Sequence, residues 1–307
     1  MFKHILVPLD ESEQAEQAVP VAVRLARASG GTIILLDVVP PPFEFGPYWG
    51  EPPPLVQSTI DADLTRAASY LTCLAQTEIF AGVDTETKTV FGNPASMILT
   101  LVSEQDVDLI VMTSHGRNGF SRWVLGSVAE AVIRQTQMPV LVVRDHSLSG
   151  AYNNVDQPLR GLVALDGSPA SEAVLVPAAQ IIVALASPGK ALLRLMHVLP
   201  ASSLRDKALR EQHAGAYLQH VSDRVQQESA KEPHLSVTWS LISAQDVADA
   251  LLRKAAGEEQ RDKDGPYDLL LMATHGWGGF PSYDLGSIVE RVLRASKLSL
   301  LIVPSPA

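Results

Sequence analysis

The chain has 307 residues, a formal net charge of −10, a hydrophobic content of 46% and an aromatic content of 6%. This length suits two domains of ordinary size. The acidic balance disfavours nucleic-acid backbones and anionic membranes as partners, because both need a basic surface. Cys73 is the one cysteine in the sequence, so no disulfide can form within the chain. We therefore expect a cytoplasmic protein in a reducing compartment, with Cys73 buried as an inert thiol in an apolar helical stretch.

Short apolar runs alternate with helical patterns through the first half of the sequence. The first run, 5–9, is followed by the acidic turn Asp10-Glu11-Ser12, which is not a signal-peptide pattern. A helical pattern then continues to Gly30-Gly31. Further strands are predicted at 32–39, 83–90, 108–113 and 139–143, with helices at 59–80, 94–104 and 127–136. This alternation indicates a parallel sheet covered on both faces.

The segment 40–54 is rich in proline, glycine and aromatic residues. It follows the second predicted strand, so it leaves the sheet at the carboxyl edge, where ligands bind in such folds. A mobile loop with a small apolar anchor is the favoured interpretation, and a partial lid over a site is the alternative.

The second half of the sequence repeats the same order. Strands are predicted at 161–165, 191–198, 236–241, 268–273 and 298–303, with helices at 171–186, 203–229, 246–256 and 287–296. The polar segment 147–158 predicts a linker between a first domain, 1–146, and a second domain, 159–307. No apolar run in either half reaches the length of a membrane span.

One sequence pattern occurs twice, 160 residues apart. The pattern His-Gly-x9-Gly-Ser begins at His115 in the first copy and at His275 in the second. In each copy a predicted helix begins at the Gly-Ser, and a glycine-rich loop before a helix N-terminus can hold phosphate. A simpler interpretation is open, because Ser127-x-x-Glu130 and Ser287-x-x-Glu290 both match a capping box. Each histidine lacks a nearby partner for metal binding or catalysis, so turn packing is favoured for both.

Three segments of each copy converge at the carboxyl edge of the predicted sheet. They are the loop after the first strand, the end of the second strand and the loop after the fourth strand. In a doubly wound sheet a crevice opens where the strand order reverses, and a nucleotide can lie across it. Asp10 and Asp166 would then accept hydrogen bonds from a ribose or adenine, although Asp10 could equally cap the following helix.

At these residues the chain resembles the universal stress protein family, whose pattern is Gly-x2-Gly-x9-Gly-Ser/Thr with an aspartate after the first strand. The resemblance covers nearly all of both halves and implies a tandem α/β protein with two doubly wound domains. Each domain would have a five-stranded parallel sheet in the order 3-2-1-4-5 with helices on both faces. The resemblance also implies ATP as the ligand, with Mg²⁺ or Mn²⁺ bridging its phosphates and no separate metal site in the protein. The residues implied at the first site are Pro8, Asp10, Val38, Met112, Gly116, Arg117, Gly126, Ser127 and Val128. Those implied at the second site are Asp166, Val198, Met272, Gly276, Gly286, Ser287 and Ile288.

The sequence departs from the family pattern in both copies. Thr113 and Ala273 stand where the family has its first glycine. Further differences separate the copies: Arg117 and Arg122 in the first loop, Trp277, Ser282 and Asp284 in the second, and Ala164 in place of Pro8. Arginine suits phosphate charge, so we expect the first site to bind ATP more strongly.

Three hypotheses remain at this stage. The favoured one is an ATP-binding stress-response or signalling module with little or no turnover. The alternative is a nucleotide-free scaffold of the same fold. The least favoured is an ATP-using enzyme, because the sequence has no P-loop lysine motif and no evident catalytic base. By the same resemblance the last strands of the two copies pair, giving a pseudo-dimer within one chain, and a dimer of two chains is a further expectation.

Overall fold

The structure is a computed structural model that describes residues 2–41, 54–114, 125–144, 148, 157–201, 207–229, 234–258, 265–276 and 285–306. The chain divides into two compact units, Met1–Met138 and Pro139–Ala307. Most of the predicted linker, 147–158, lies outside the described residues, as does nearly all of the proline-rich segment 40–54. The domain boundaries predicted at 146 and 159 therefore stay predictions.

The described residues of the first unit form four parallel strands. They are β1 (His4–Leu9), β2 (Thr32–Val39), β3 (Thr85–Phe91) and β4 (Leu109–Thr113). Their order in the sheet is β3-β2-β1-β4. The helices between and after them are α1 (Glu13–Glu16), α2 (Ala18–Ser29), α3 (Pro54–Ala75), α4 (Pro94–Glu104) and α5 (Ser127–Gln135). The order reverses beside β1, so the crevice expected there lies between the ends of β1 and β4.

In the second unit, the part of the chain that the structure describes forms six strands, of which the first comes from the first sequence copy. They are β5 (Val140–Val143), β6 (Leu159–Leu165), β7 (Ala191–Pro200), β8 (Leu235–Ala244), β9 (Leu269–Ala273) and β10 (Ser299–Val303). The helices are α6 (Pro169–Glu172), α7 (Leu175–Ala186), α8 (Lys207–Glu228), α9 (Val247–Ala255) and α10 (Ser287–Ala295). The sheet order is β5-β10-β9-β6-β7-β8. Numbered within its own copy, β6 to β10 follow the order 3-2-1-4-5, and the predicted fold class is confirmed.

Strand β5 pairs antiparallel with β10, whereas the other strand pairs of this unit are parallel. Leu141 lies opposite Leu301 in this pairing, and every residue of both strands is buried. The pairing of the last strands of the two copies, expected from the family resemblance, is therefore present. It explains why β5 groups with the second unit although it ends the first copy.

Apolar sequence runs account for the core of each unit. In β2 the run from Ile33 to Leu36 is almost fully buried, as expected for a parallel strand covered on both faces. Helix α2 buries Val19, Ala22, Val23 and Ala26 along one face, at the spacing of an amphipathic helix.

Two helices of the first unit differ from the prediction in where they begin or end. The first helical pattern forms two helices, α1 and α2, which meet at Gln17. The C-cap residue Gly30 has φ 59°, a left-handed conformation that ends the second of them at little cost. The helix predicted to reach residue 80 ends at Ala75 and is followed by a short 3-10 turn, Glu78–Phe80.

The prediction that Cys73 is buried is wrong. Its side chain is exposed on α3, although Leu71 two residues earlier is fully buried. A 22-residue helix lying on a sheet turns part of every apolar stretch towards solvent. The thiol lies on that outer face.

One described segment, Pro169–Ala186, has the length and apolar composition of a membrane span, with a mean hydropathy of 1.6. It is divided between α6 and α7, which are separate helices. Helix α7 buries Ala178, Ile181, Ile182 and Leu185. This burial is typical of a core helix packed on a sheet.

Candidate functional site

The loop after β1 holds its aspartate through the cap of the next helix. The Oδ1 atom of Asp10 accepts hydrogen bonds from the backbone N and the Oγ of Ser12. Ser12 is the N-cap residue of α1, and its Oγ accepts from the backbone N of Ala15 at 3.1 Å. The structure therefore places Ser12, and not Asp10, in the capping position. Asp10 orients that serine and is itself only partly buried.

The second copy repeats this arrangement atom for atom. The Oδ1 atom of Asp166 accepts from the backbone N of Ser168 at 3.0 Å and from its Oγ at 2.6 Å. The Oγ of Ser168 accepts from the backbone N of Ser171 at 3.0 Å and caps α6. The carboxylate after the first strand is thus fixed in the same way in both copies.

Gly276, which follows β9, packs directly against Asp166. A Cβ atom built on Gly276 would lie 1.8 Å from Oδ2 of Asp166 and 2.7 Å from its Cγ. Any side chain at position 276 would therefore displace the carboxylate or the loop. The two residues assigned to the second site from opposite sides of the crevice are in contact in the structure.

Glycines, and not serines, occupy the N-cap positions of the two helices at the site. The N-cap residues of α5 and α10 are Gly126 and Gly286, and neither helix has a side-chain cap. The capping-box interpretation of Ser127 and Ser287 is wrong, because each serine is the first residue inside its helix. Both serines are exposed, and neither hydroxyl has a hydrogen-bond partner in the described part of the chain.

A backbone hydrogen bond joins each capping glycine to the residue that follows the preceding strand. The backbone N of Gly126 donates to the carbonyl of Ser114 at 2.7 Å, and that of Gly286 to the carbonyl of Thr274 at 3.0 Å. A Cβ atom on Gly286 would lie 3.0 Å from the same carbonyl oxygen. The glycines permit this close approach of loop and strand.

The first turns of α5 and α10 offer hydrogen-bond donors. The backbone N of Glu130 donates to the carbonyl of Gly126, and the backbone N of Glu290 donates to the carbonyl of Gly286. These are the first hydrogen bonds within each helix. The three preceding amides of each helix have no partner within the helix. With no side chain capping them, these amides and the positive end of the helix dipole can bind an anion.

Apolar residues at the strand ends flank both aspartates. Val38 on β2 and Met112 on β4 belong to the strands on either side of β1, and both are buried. Val198 on β7 and Met272 on β9 occupy the same positions around β6 and are also buried. The remaining assigned residues that the structure describes are Pro8 within β1, Val128 on α5 and Ile288 on α10.

Sequence reasoning missed the polar residue that precedes the strand-two valine in each copy. Asp37 is 5% exposed in the otherwise apolar β2. His197 holds the equivalent place on β7, and its ring packs edge to face with Tyr217, with ring centroids 6.4 Å apart. Asp37 is the one charged residue of β2, whereas β7 carries Arg194 as well as His197. A polar residue within an otherwise apolar strand was the available signal.

Burial and nearby charges shift the pKa values of His197 in the second copy and of Tyr70 in the first. Desolvation lowers the pKa of His197, and the charge of Asp166 opposes that shift. In the first copy, Tyr70 donates a hydrogen bond to Oε1 of Glu16 at 2.9 Å. Burial, the Glu16 bond and the charges of Asp37 and Asp10 all raise the pKa of Tyr70. The first copy thus has the Asp37 carboxylate where the second has the His197 imidazole.

Several assigned residues lie outside the described part of the chain. These are His115, Gly116, Arg117 and Arg122 in the first copy, and Trp277, Ser282 and Asp284 in the second. Within the described ranges, no group of three or more His, Cys, Asp or Glu side chains could hold a metal ion.

Comparison with known proteins supplies the family. The model of the universal stress protein family matches residues 1–144 and 160–304. The chain belongs to the universal stress protein family. A universal stress protein from Methanocaldococcus jannaschii is 30% identical over 148 residues, which cover 47% of this chain and 83% of that protein.

A solved structure matches nearly the whole chain. A universal stress protein from Archaeoglobus fulgidus superposes with a TM-score of 0.67 at 22% identity, covering 98% of both chains. A universal stress protein solved in complex with cAMP matches 47% of this chain and 97% of its own, with a TM-score of 0.33 and 25% identity. The two family segments agree with the duplication seen in the sequence.

Proposed function

We propose that this tandem universal stress protein binds ATP at the carboxyl edge of each copy and acts as a nucleotide sensor or stress-response regulator with little or no turnover. The observation that carries the proposal is the pair of uncapped helix N-termini, α5 and α10, each preceded by a glycine at the N-cap. A helix that begins without a side-chain cap leaves its amides for another acceptor, and phosphate is such an acceptor.

The adenosine end of the ligand would lie against the aspartates. Asp10 and Asp166 each use Oδ1 on the capping serine. Their carboxylates can also accept from a ribose hydroxyl or the adenine amino group. Val38 and Val198 supply the buried apolar contact that a purine ring needs.

The phosphates would lie over the first turns of α5 and α10. Ser127 and Ser287 present exposed hydroxyls there, and Gly126 and Gly286 let the chain approach closely. Mg²⁺ or Mn²⁺ would neutralise phosphate charge by bridging phosphate oxygens. This role needs no dedicated protein cluster, so the residues present are compatible with it.

We further propose that the first site is the stronger one. Arg117 and Arg122 in its loop supply positive charge, where the second loop has Trp277 and Asp284.

The decisive experiment measures nucleotide directly. Mass spectrometry of the small molecules released from purified, denatured protein would identify ATP if it is retained. Calorimetric titration with Mg-ATP would then show two binding events in the wild-type chain. Gly126→Val should remove the tighter event and Gly286→Val the weaker one, with cAMP as a comparison ligand. Retention of the tight event in Gly126→Val would refute the assignment of the phosphate loop.

A nucleotide-free scaffold of the same fold is the second candidate. Thr113 and Ala273 favour it, because each places a Cβ atom where the family pattern has glycine. Thermal unfolding separates the candidates, since a ligand at 100 times its Kd adds roughly 2.7 kcal/mol of stability. An unchanged melting temperature at millimolar Mg-ATP supports the scaffold. Rapid hydrolysis of ATP over many turnovers would instead favour an enzyme.

The assembly and location complete the proposal. The antiparallel pairing of β5 with β10 supports a pseudo-dimer of the two copies within one chain, and two chains could associate further. We propose a cytoplasmic location and no nucleic-acid or membrane partner, in keeping with the net charge of −10.

A further inference from the structure

The residues after β10 bind back onto the start of the glycine loop of the second copy. The backbone N of Ser305 donates to Oγ1 of Thr274 at 3.0 Å. The backbone N of His275 donates to Oγ of Ser305 at 3.1 Å, and the same Oγ lies 3.2 Å from the carbonyl oxygen of His275. One serine therefore satisfies both backbone groups of the residue that precedes Gly276.

Thr274 connects this contact to the histidine ring. Its Oγ1 lies 3.1 Å from Nδ1 of His275 and 3.4 Å from Oγ of Ser305. Thr274 is 6% exposed, and its carbonyl accepts the hydrogen bond from the capping glycine, Gly286. The segment after β10, the loop and the start of α10 thus share a connected set of hydrogen bonds.

The same set leads to the proposed ligand carboxylate. His275, held by Ser305, is followed by Gly276, whose Cα packs against Asp166. A shift of His275 would therefore move the residue that covers Oδ2 of Asp166. Both ends of the proposed second site, the aspartate and the helix N-terminus, depend on where residues 274–276 lie.

The first copy has a different residue at the equivalent place. The 160-residue offset that aligns the two loops puts Asp145 opposite Ser305 and Ser114 opposite Thr274. An ionised carboxylate only accepts hydrogen bonds, whereas a hydroxyl both accepts and donates. Asp145 lies outside the described residues, and the structure describes the contact in the second copy.

We propose that the segment Pro304–Pro306 is a clasp that sets the nucleotide affinity of the second site, with Ser305 as its positioning residue. This inference rests on the proposed function, because it assigns the regulation of the same site. The clasp orders residues 274–276 before the ligand arrives, so the ligand does not have to order them. Release of the C-terminal segment, by modification or by a partner that binds it, would lower the affinity of the second site alone.

The test uses the full chain with one site closed at a time. In a Gly126→Val background, which leaves the second site, Ser305→Ala should weaken Mg-ATP binding roughly fivefold to tenfold, as loss of one or two hydrogen bonds predicts. Ser305→Thr keeps the hydroxyl and should restore the affinity. In a Gly286→Val background, which leaves the first site, Ser305→Ala should change nothing. A purely structural defect would affect both backgrounds and would not be rescued by threonine.

Hydrogen exchange provides a readout without ligand. The His275 amide is protected by Ser305, so peptides containing residues 274–276 should exchange faster in Ser305→Ala while those covering β1 and β2 stay unchanged. If the wild type binds ATP and Ser305→Ala leaves the Kd of the second site unchanged, the clasp is overturned. The proposed function then still stands. A wild-type chain that binds no ATP overturns the proposed function, and the clasp's role in affinity with it.

Discussion

Gly276 and Asp166 are in such close contact that a single methyl group at position 276 would fall 1.8 Å from the carboxylate oxygen. Real Cβ atoms do not approach an oxygen so closely, so the loop or the aspartate must move. We predict that Gly276→Ala destabilises the second unit by about 1–3 kcal/mol, the usual cost of overpacking, and weakens ATP binding at the second site. Urea unfolding and calorimetry measure the two effects.

Gly215 offers a matched control for that substitution. It lies in α8, and a Cβ atom there would meet Trp239 at 3.8 Å, an ordinary contact. Gly215→Ala should therefore stabilise the protein by up to about 1 kcal/mol, because alanine is the better helix former. If Gly276→Ala proved as harmless as Gly215→Ala, the packing of Gly276 on Asp166 would not matter for the site.

A serine at an N-cap and a serine at the first position inside a helix should contribute differently to the free energy of unfolding. Ser12 caps α1, so Ser12→Ala should cost about 1 kcal/mol of stability. Ser127 caps nothing, so Ser127→Ala should leave the stability of the ligand-free protein within about 0.5 kcal/mol. It should still reduce the rise in melting temperature that Mg-ATP produces. Loss of about 1 kcal/mol in ligand-free Ser127→Ala would instead favour the capping box.

Arg144 shows how far the sequence predicted the β5–β10 region. The pairing of the last strands followed from the family resemblance, and the apolar runs gave the positions of the strands. The arginine after β5 had no signal, because its partners are main-chain carbonyls and any residue carries those. It is 5% exposed and donates to the carbonyls of Leu293 and Ser296 at the C-terminus of α10. Burial lowers the pKa of Arg144 to about 10, so it remains charged at neutral pH.

We predict that Arg144→Ala costs about 3 kcal/mol, since it removes two charge-assisted hydrogen bonds and leaves carbonyls of α10 unsatisfied. Arg294→Ala on the same helix is the control. Arg294 makes an exposed i,i+4 pair with Glu290, which contributes about 0.5 kcal/mol or less. Denaturant unfolding of both variants gives the comparison, and equal losses would contradict a structural role for Arg144.

The candidate site was predicted in outline for the same physical reasons. Glycines and aspartates at strand ends mark a crevice wherever a doubly wound sheet reverses, so Asp10, Asp166 and Gly286 were assigned to the candidate site from spacing and family pattern. The role of Ser127 was open, because a serine at the N-cap and one at the first helical position look alike in sequence. Only backbone dihedral angles distinguish them, and these put Gly126 at the cap. The Ser305 contact joins residues 30 positions apart and has no local pattern.

His197 should make the second unit sensitive to mild acid. Desolvation lowers the pKa of its imidazole below the ordinary value, and Asp166 only opposes this shift. Because the pKa of His197 is lower in the folded chain, the unfolded chain takes up a proton at a higher pH than the folded chain does. The stability contributed by neutral His197 is therefore complete above about pH 6.5, the ordinary histidine value, and is lost as pH falls towards the lowered pKa.

Substitution of His197 by phenylalanine tests this dependence. The variant keeps an aromatic ring beside Tyr217 but cannot be protonated, so its free energy of unfolding should fall less than that of the wild type between pH 7 and about 5. Tyr217→Phe keeps the imidazole and should retain the wild-type slope, with Glu172 and Asp166 present in both variants. Denaturant unfolding at each pH gives the slopes. Identical slopes for wild type and His197→Phe would show that the imidazole is hydrated equally in the folded and unfolded states, and would remove it as the source of acid sensitivity.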